Sequence, residues 1–108
     1  MSSAASIRVR GLIFDLDGTL LDKTGVPHDI DVASMRALQA SGVAVTIVTG
    51  RLFSGTTPAA RAIGIEGPIA CADASHVAMA ACGTTLVHHG IEEESLAVVR
   101  QACMRSSV

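Results

Sequence analysis

A chain of 108 residues has room for one domain, and with 49% hydrophobic and 17% charged residues it carries enough apolar surface to fold. Its net charge of −2, eight scattered Lys and Arg, and lack of Trp and Tyr leave no basic stripe and few stacking platforms, which argues against nucleic acid as a partner. No run approaches the ~20 apolar residues of a membrane span and no signal-peptide pattern follows Met1, so a soluble, cytoplasmic protein is expected, with no membrane partner.

Residues 1–6 are small and polar and read as a disordered lead. Residues 7–16 (IRVRGLIFDL) form an apolar run that ends abruptly in acid, which predicts a buried strand with charge at its carboxyl end. Asp17-Gly18-Thr19 turns the chain. Asp29 is suited to cap a helix and Asp31 to its first turn, where the helix dipole favours negative charge. Ile30, Ala33, Ala37, Leu38 and Ser41 then share one helical face, with Arg36 and Gln39 turned away, and Gly42 ends the helix.

Residues 43–48 (VAVTIV) predict a second buried strand, followed by Thr49-Gly50-Arg51. The next helix has two possible starts. Thr57 as cap with Pro58 in the first helical position is favoured by the proline rule; a start near Phe53 would put Pro58 inside and bend the helix. Gly64 closes it, and residues 68–72 (PIACA) make a short third strand. Residues 77–80 and 84–88 read as a hairpin about Ala81-Cys82-Gly83. Glu92, Glu93 and Glu94 open a last helix, with Leu96, Val99 and Cys103 as its apolar stripe. Cys71, Cys82 and Cys103 show no metal-ligand spacing and are expected as small core residues in a reducing compartment.

Strand, helix, strand, helix, strand predicts an α/β fold: part of a doubly wound, Rossmann-like parallel sheet, with a β-hairpin appended. Ligands of such sheets lie beyond the carboxyl ends of the strands, where both polar segments fall.

Asp15 and Asp17 admit two readings. They are turn-forming acids in water, or they hold a cation that offsets the cost of placing Asp15 between apolar Phe14 and Leu16. Arg51 either clamps a substrate phosphate or pairs with an acid at the surface. Lys23 reads as solvated, as does the Glu92–Glu94 run, and His28 and His76 have no acid or Cys at ligand spacing. His88 and His89 are adjacent on a strand, face opposite sides and cannot chelate one ion. Met79 and Met104 read as packing residues.

The full string Asp15-Leu16-Asp17-Gly18-Thr19-Leu20-Leu21 after an apolar strand resembles the first motif of the haloacid dehalogenase superfamily, and Thr49 in TIVTGR its second. The order of elements is similar to the Cof-type phosphatase branch over residues 7–104. The resemblance implies residues 1–90 as the amino-terminal half of a core and residues 91–108 as the first helix of a cap. It implies a magnesium-dependent phosphohydrolase acting on a small phosphorylated metabolite, such as a sugar phosphate. Asp15 would be the nucleophile that becomes an aspartyl-phosphate, and Asp17 the general acid and base. Mg2+ would be held by the Asp15 carboxylate and the Asp17 carbonyl. The Thr49 hydroxyl and backbone N–H groups near Gly18 and Gly50 would bind phosphoryl oxygens, with Arg51 beside them.

Two departures stand out. Asp73-Ala74-Ser75 replaces the branch's usual Asn-Gly-Ala, putting an acid near the substrate entrance. The lysine of the third motif and the acidic pair of the fourth do not occur before Val108, so the resemblance implies a catalytic set that is incomplete in this chain. The alternative expectation is a non-catalytic fragment that binds phosphate and magnesium or serves as an assembly partner. A receiver-type phosphorylation switch would need its acceptor Asp on the third strand. Half a sheet also leaves an apolar edge uncovered, which predicts self-association or a complementing second half.

Overall fold

The computed structural model describes residues 8–106. The expected lead at residues 1–6 and the first residue of the opening strand fall outside that range.

Three short strands point the same way. β1 (Gly11–Phe14) pairs in parallel with β2 (Ala44–Ile47), register Phe14↔Ile47. β3 (Pro68–Cys71) lies on the far side of β2, joined by the parallel Val48↔Ala70 bridge and by the Thr46 hydroxyl donating to the Pro68 carbonyl. β3 then continues into an antiparallel meander with β4 (His76–Met79) and β5 (Thr85–His88), turned at Gly83, whose φ of +76° suits glycine. The expected α/β architecture with an appended hairpin is present.

The crossovers are α1 (Asp29–Ala40) and α2 (Phe53–Ile63). His28, not Asp29, occupies the cap position of α1, and no side chain caps it; Asp29 and Asp31 instead both fill the acidic first turn. The inner stripe of α1 is Asp31, Val32, Met35, Leu38 and Gln39, while Ile30 is 80% exposed. The stripe is rotated from the expected face because Arg36 and Gln39 are not turned away. Arg36 Nε donates to the Ala62 carbonyl and Gln39 Nε2 to that of Ile63, both at 2.9 Å, tying α1 to the unsatisfied end of α2.

α2 takes the earlier start, with Pro58 inside. The N–H that Pro58 lacks would have bonded the Ser54 carbonyl. The Thr57 hydroxyl bonds that carbonyl instead at 3.3 Å, and the Thr56 hydroxyl bonds that of Leu52 at 2.9 Å. Side-chain donors let the helix run past the proline, and Gly64 closes it at φ +84°.

Alternation along the strands separates two faces. Phe14, Leu16, Val45, Ile47, Ile69 and Cys71 point into a core completed by Ala59, Ala60 and Ile63 of α2. The opposite face lies open: Ile13 is 67% exposed, and an apolar groove of about 290 Å³ crosses it, lined by residues 46–48, 68–70 and Val77. Among the described residues β1 pairs only with β2, so its other edge is bare too.

α3 (Glu93–Arg105) begins as the Glu run predicted but buries none of its residues, and Leu96, Val99 and Cys103 find no cover. Of the three cysteines expected in the core only Cys71 is buried; Cys82 sits in an exposed turn and Cys103 on the uncovered helix. The radius of gyration, 17.9 Å, far exceeds the ~13 Å of a compact 100-residue domain, since α3 and β5 project from the core.

Candidate active site

Parallel strands bring their carboxyl ends to one edge, and the polar segments gather there. After β1 the chain tightens into a turn in which the Leu16 carbonyl accepts from the N–H groups of Thr19, Leu20 and Leu21. Leu16, Leu20 and Leu21 are buried by this turn, anchoring it, while the acids stay in water. Asp15 is exposed, so the apolar neighbours in sequence do not impose the expected desolvation cost. Alternation explains the difference, because Phe14 and Leu16 point into the core and Asp15 away from it. One Asp15 oxygen accepts from the Leu16 N–H at 2.8 Å; the other has no donor among the described residues.

Asp17 reaches across to the loop after β2. Arg51 donates to it twice, Nε to Oδ2 at 2.8 Å and Nη2 to Oδ1 at 2.6 Å, a planar fork on a carboxylate. The hydrogen bond from Arg51 holds the Asp17 carboxyl below its ordinary value, its charge adding to the effect, and Asp17 in turn raises the guanidinium. Of the two readings for Arg51, pairing with an acid is what occurs, and the acid is Asp17 itself.

Thr49 is 3% exposed. Its Oγ1 accepts from the Arg51 N–H at 3.1 Å, which engages a lone pair and keeps the hydroxyl proton for another acceptor. The Gly50 N–H has no acceptor among the described residues, whereas that of Gly18 is directed to the Leu21 carbonyl at 3.2 Å. Of these two glycine N–H groups, that of Gly50 is therefore the available one.

The third strand closes the group. The Thr49 N–H donates to Ala70, the Ala72 N–H to Arg51 and the Asp73 N–H to Thr49, all at 2.8–2.9 Å. Ala72, Asp73 and Ala74 have φ of +49°, +55° and +67°, three successive left-handed residues without a glycine. Asp73 lies directly over Gly50: a Cβ there would stand 3.2 Å from Asp73 Oδ1. The resemblance puts Asp73 near the substrate entrance, but no glycine in the sequence signals the left-handed turn that seats it over Gly50.

A cavity of about 520 Å³ is lined by residues 17–23 and His28. It adjoins Asp17 and Gly18 but not Asp15 or Thr49, so the strand-end cluster borders this hollow rather than filling it. His76, which has no apparent partner in sequence, is set beside His88 by the β4–β5 register, ring centres 5.8 Å apart, with Nε2 3.1 Å from Thr85 Oγ1.

A family model described as haloacid dehalogenase-like hydrolase matches residues 12–106. The chain belongs to this family. As a haloacid dehalogenase-like hydrolase it is similar to a Mycoplasma genitalium protein whose name proposes a phosphatase, 38% identical over 45 residues, 42% of this chain and 16% of that one. A haloacid dehalogenase-like hydrolase from Bacteroides thetaiotaomicron superposes with a TM-score of 0.82 at 17% identity, covering 91% of this chain and 38% of that one. A structure titled a subclass IIB sugar phosphatase superposes at 0.74 with 18% identity over 91% and 38%. At such identities the structures share the fold, and this chain spans well under half the length of each relative.

Asp15 and Asp17 suit magnesium in the chemistry of their donors, hard oxygens with room for water ligands. Among the described residues no three His, Cys, Asp or Glu side chains gather into a fuller metal site.

Proposed function

We propose that this chain carries the nucleophile half of a magnesium-dependent phosphohydrolase whose substrate is a small phosphorylated metabolite, such as a sugar phosphate. One observation carries the reading: two strand ends bring an Asp15 oxygen with no donor among the described residues, the Asp17–Arg51 pair and the buried Thr49 hydroxyl to a single edge. Phosphoryl oxygens would take the Thr49 hydroxyl and the Gly50 N–H. The second Asp15 oxygen would attack phosphorus while the ester P–O bond breaks, and Asp17 would give its proton to the departing oxygen. Water then attacks the aspartyl-phosphate, Asp17 takes its proton, and phosphate leaves with Asp15 restored. Mg2+, held by the Asp15 carboxylate and the Asp17 carbonyl, would supply charge neutralisation for an anionic nucleophile meeting an anionic ester. Arg51 holds Asp17 in its ionised state, the form that accepts a proton from water; the proton-donating step requires that grip to loosen.

We place full activity in a complete assembly that adds a lysine and a second acidic pair to the residues gathered here. Residues 1–90 act as one half of the core, residues 91–108 open a cap, and a complementing half seats on the bare sheet face. The relatives' greater length supports this arrangement. That same face supports a second reading, a non-catalytic assembly partner that binds phosphate and magnesium.

Hydrolysis of an aryl phosphate with Mg2+ by the 108-residue chain, beside Asp15→Asn, tests the reading. Turnover lost in the variant supports catalysis by this chain. Equal rates leave it the binding role, and no orthophosphate binding at all removes both.

A further inference from the structure

We propose that Asp73 sets the substrate class, selecting phosphomonoesters whose organic part carries an ammonium group close to the phosphate. The inference rests on the phosphate site at Thr49 and Gly50 put forward above.

Position comes first. The turn at residues 72–74 is fastened to the loop after β2 by two backbone hydrogen bonds, Ala72 N–H to Arg51 and Asp73 N–H to Thr49. The Ser75 N–H and hydroxyl both return to the Ala72 carbonyl, fixing the turn from its other side. Left-handed backbone at three successive non-glycine residues persists only where its surroundings over-determine it, as these bonds do. The outcome is that the Asp73 carboxylate stands over the bare Cα of Gly50. Any phosphate bound to the Gly50 N–H carries its ester arm within reach of that carboxylate.

Charge then decides what the arm contains. Asp15, Asp17 and Asp73 bring three carboxylates to one edge. The guanidinium among them, Arg51, is already spent on Asp17 through two hydrogen bonds. The Asp73 side chain is exposed and makes no hydrogen bond or ion pair among the described residues. A second phosphate or a carboxylate on the substrate would meet like charge here. A hydroxyl would give a hydrogen bond to the carboxylate without a charge of its own, and an ammonium would add the attraction of an ion pair to that bond. An amino group two or three bonds from the ester oxygen therefore suits the site best.

Titrations of the 108-residue chain at low ionic strength with Mg2+, followed by the Thr49 and Gly50 amide NMR signals, test the proposal with three probes. These are orthophosphate, 2-aminoethyl phosphate and 2-hydroxyethyl phosphate. The wild-type chain should bind the amine about fivefold more tightly than the alcohol, as one ion pair at contact distance in water gives. Asp73→Asn keeps the shape and tolerates left-handed backbone; it should erase the preference while binding orthophosphate at least as tightly. Asp73→Gly, which relaxes the turn, should erase it too. A wild-type chain without the preference, or variants that keep it, would overturn the role of Asp73. Absence of any orthophosphate response at Thr49 and Gly50 is a separate result that removes the phosphate site and this inference with it.

Discussion

Arg51 and Asp17, 34 residues apart in sequence, meet in a two-bonded fork of 2.8 and 2.6 Å across the carboxyl ends of β1 and β2. The loop after one strand thereby sets the state of the acid after the other. Two of the five Arg51 donors are thereby engaged on Asp17, and Nη1 is directed to the Gly55 carbonyl at 3.4 Å.

The fork has a pH consequence. Because the Asp17 pKa is lowered from 3.8, its contribution to stability is fully present above the unfolded-state value and is lost as pH falls through the lower native one. Both partners are solvent-exposed, so the contribution is small and shrinks with salt. Carboxyl carbon NMR should show Asp17 titrating below pH 3.8 in the wild-type chain and shifting upward in Arg51→Gln. An unmoved midpoint in the variant would show that the fork does not persist in solution.

Thr49 offers a cleaner probe of phosphate binding. Thr49→Ser keeps the hydroxyl and should keep orthophosphate affinity. Thr49→Val keeps the shape, loses a hydrogen bond to a charged ligand and should weaken binding by about tenfold or more. It also leaves the Arg51 N–H without its side-chain acceptor. Calorimetric titration of both variants distinguishes them, and equal affinities would show that Thr49 does not touch phosphate.

The left-handed turn makes a prediction about stability. Ala74 sits at φ +67°, where a Cβ costs roughly 1–2 kcal/mol that glycine does not incur. Glycine gives back part of this through its freer unfolded chain. Ala74→Gly should therefore stabilise the protein by about 0.5–1 kcal/mol, read as a higher urea midpoint with an unchanged slope. A lower midpoint would show that the left-handed conformation is not kept.

The two faces of the sheet should answer differently to truncation. Ile47 is fully buried, and Ile47→Ala should cost about 2–5 kcal/mol. Ile13, on the open face, should cost less than about 0.5 kcal/mol in the monomer. We expect the 108-residue chain to self-associate through that face and Ile13→Asp to reduce the association. A sedimentation profile showing a stable wild-type monomer would contradict the expectation.

How much was legible in the sequence follows from which forces are local. Strand β2 and the end of β1 were plain, because buried parallel strands read as unbroken apolar runs ending in polar residues. The DxDGTLL string and TGR fell at one edge for the same reason. The start of α2 was not legible: the proline rule favours Thr57, and only the Thr56 and Thr57 hydroxyls, bonding backward to Leu52 and Ser54, let the helix begin at Phe53. The inner face of α1 was misplaced because Arg36 and Gln39 bind backbone of another helix, a long-range contact that periodicity does not carry. Asp73 entered the site through three left-handed residues with none of the glycines that normally announce them.

Helix α3 buries nothing, and its backbone hydrogen bonds are therefore shielded only by the helix itself. An isolated helix of 13 residues is marginal in water. Its amides should exchange with deuterium in a rapid step of their own, long before those of β2, whose opening requires the core to come apart.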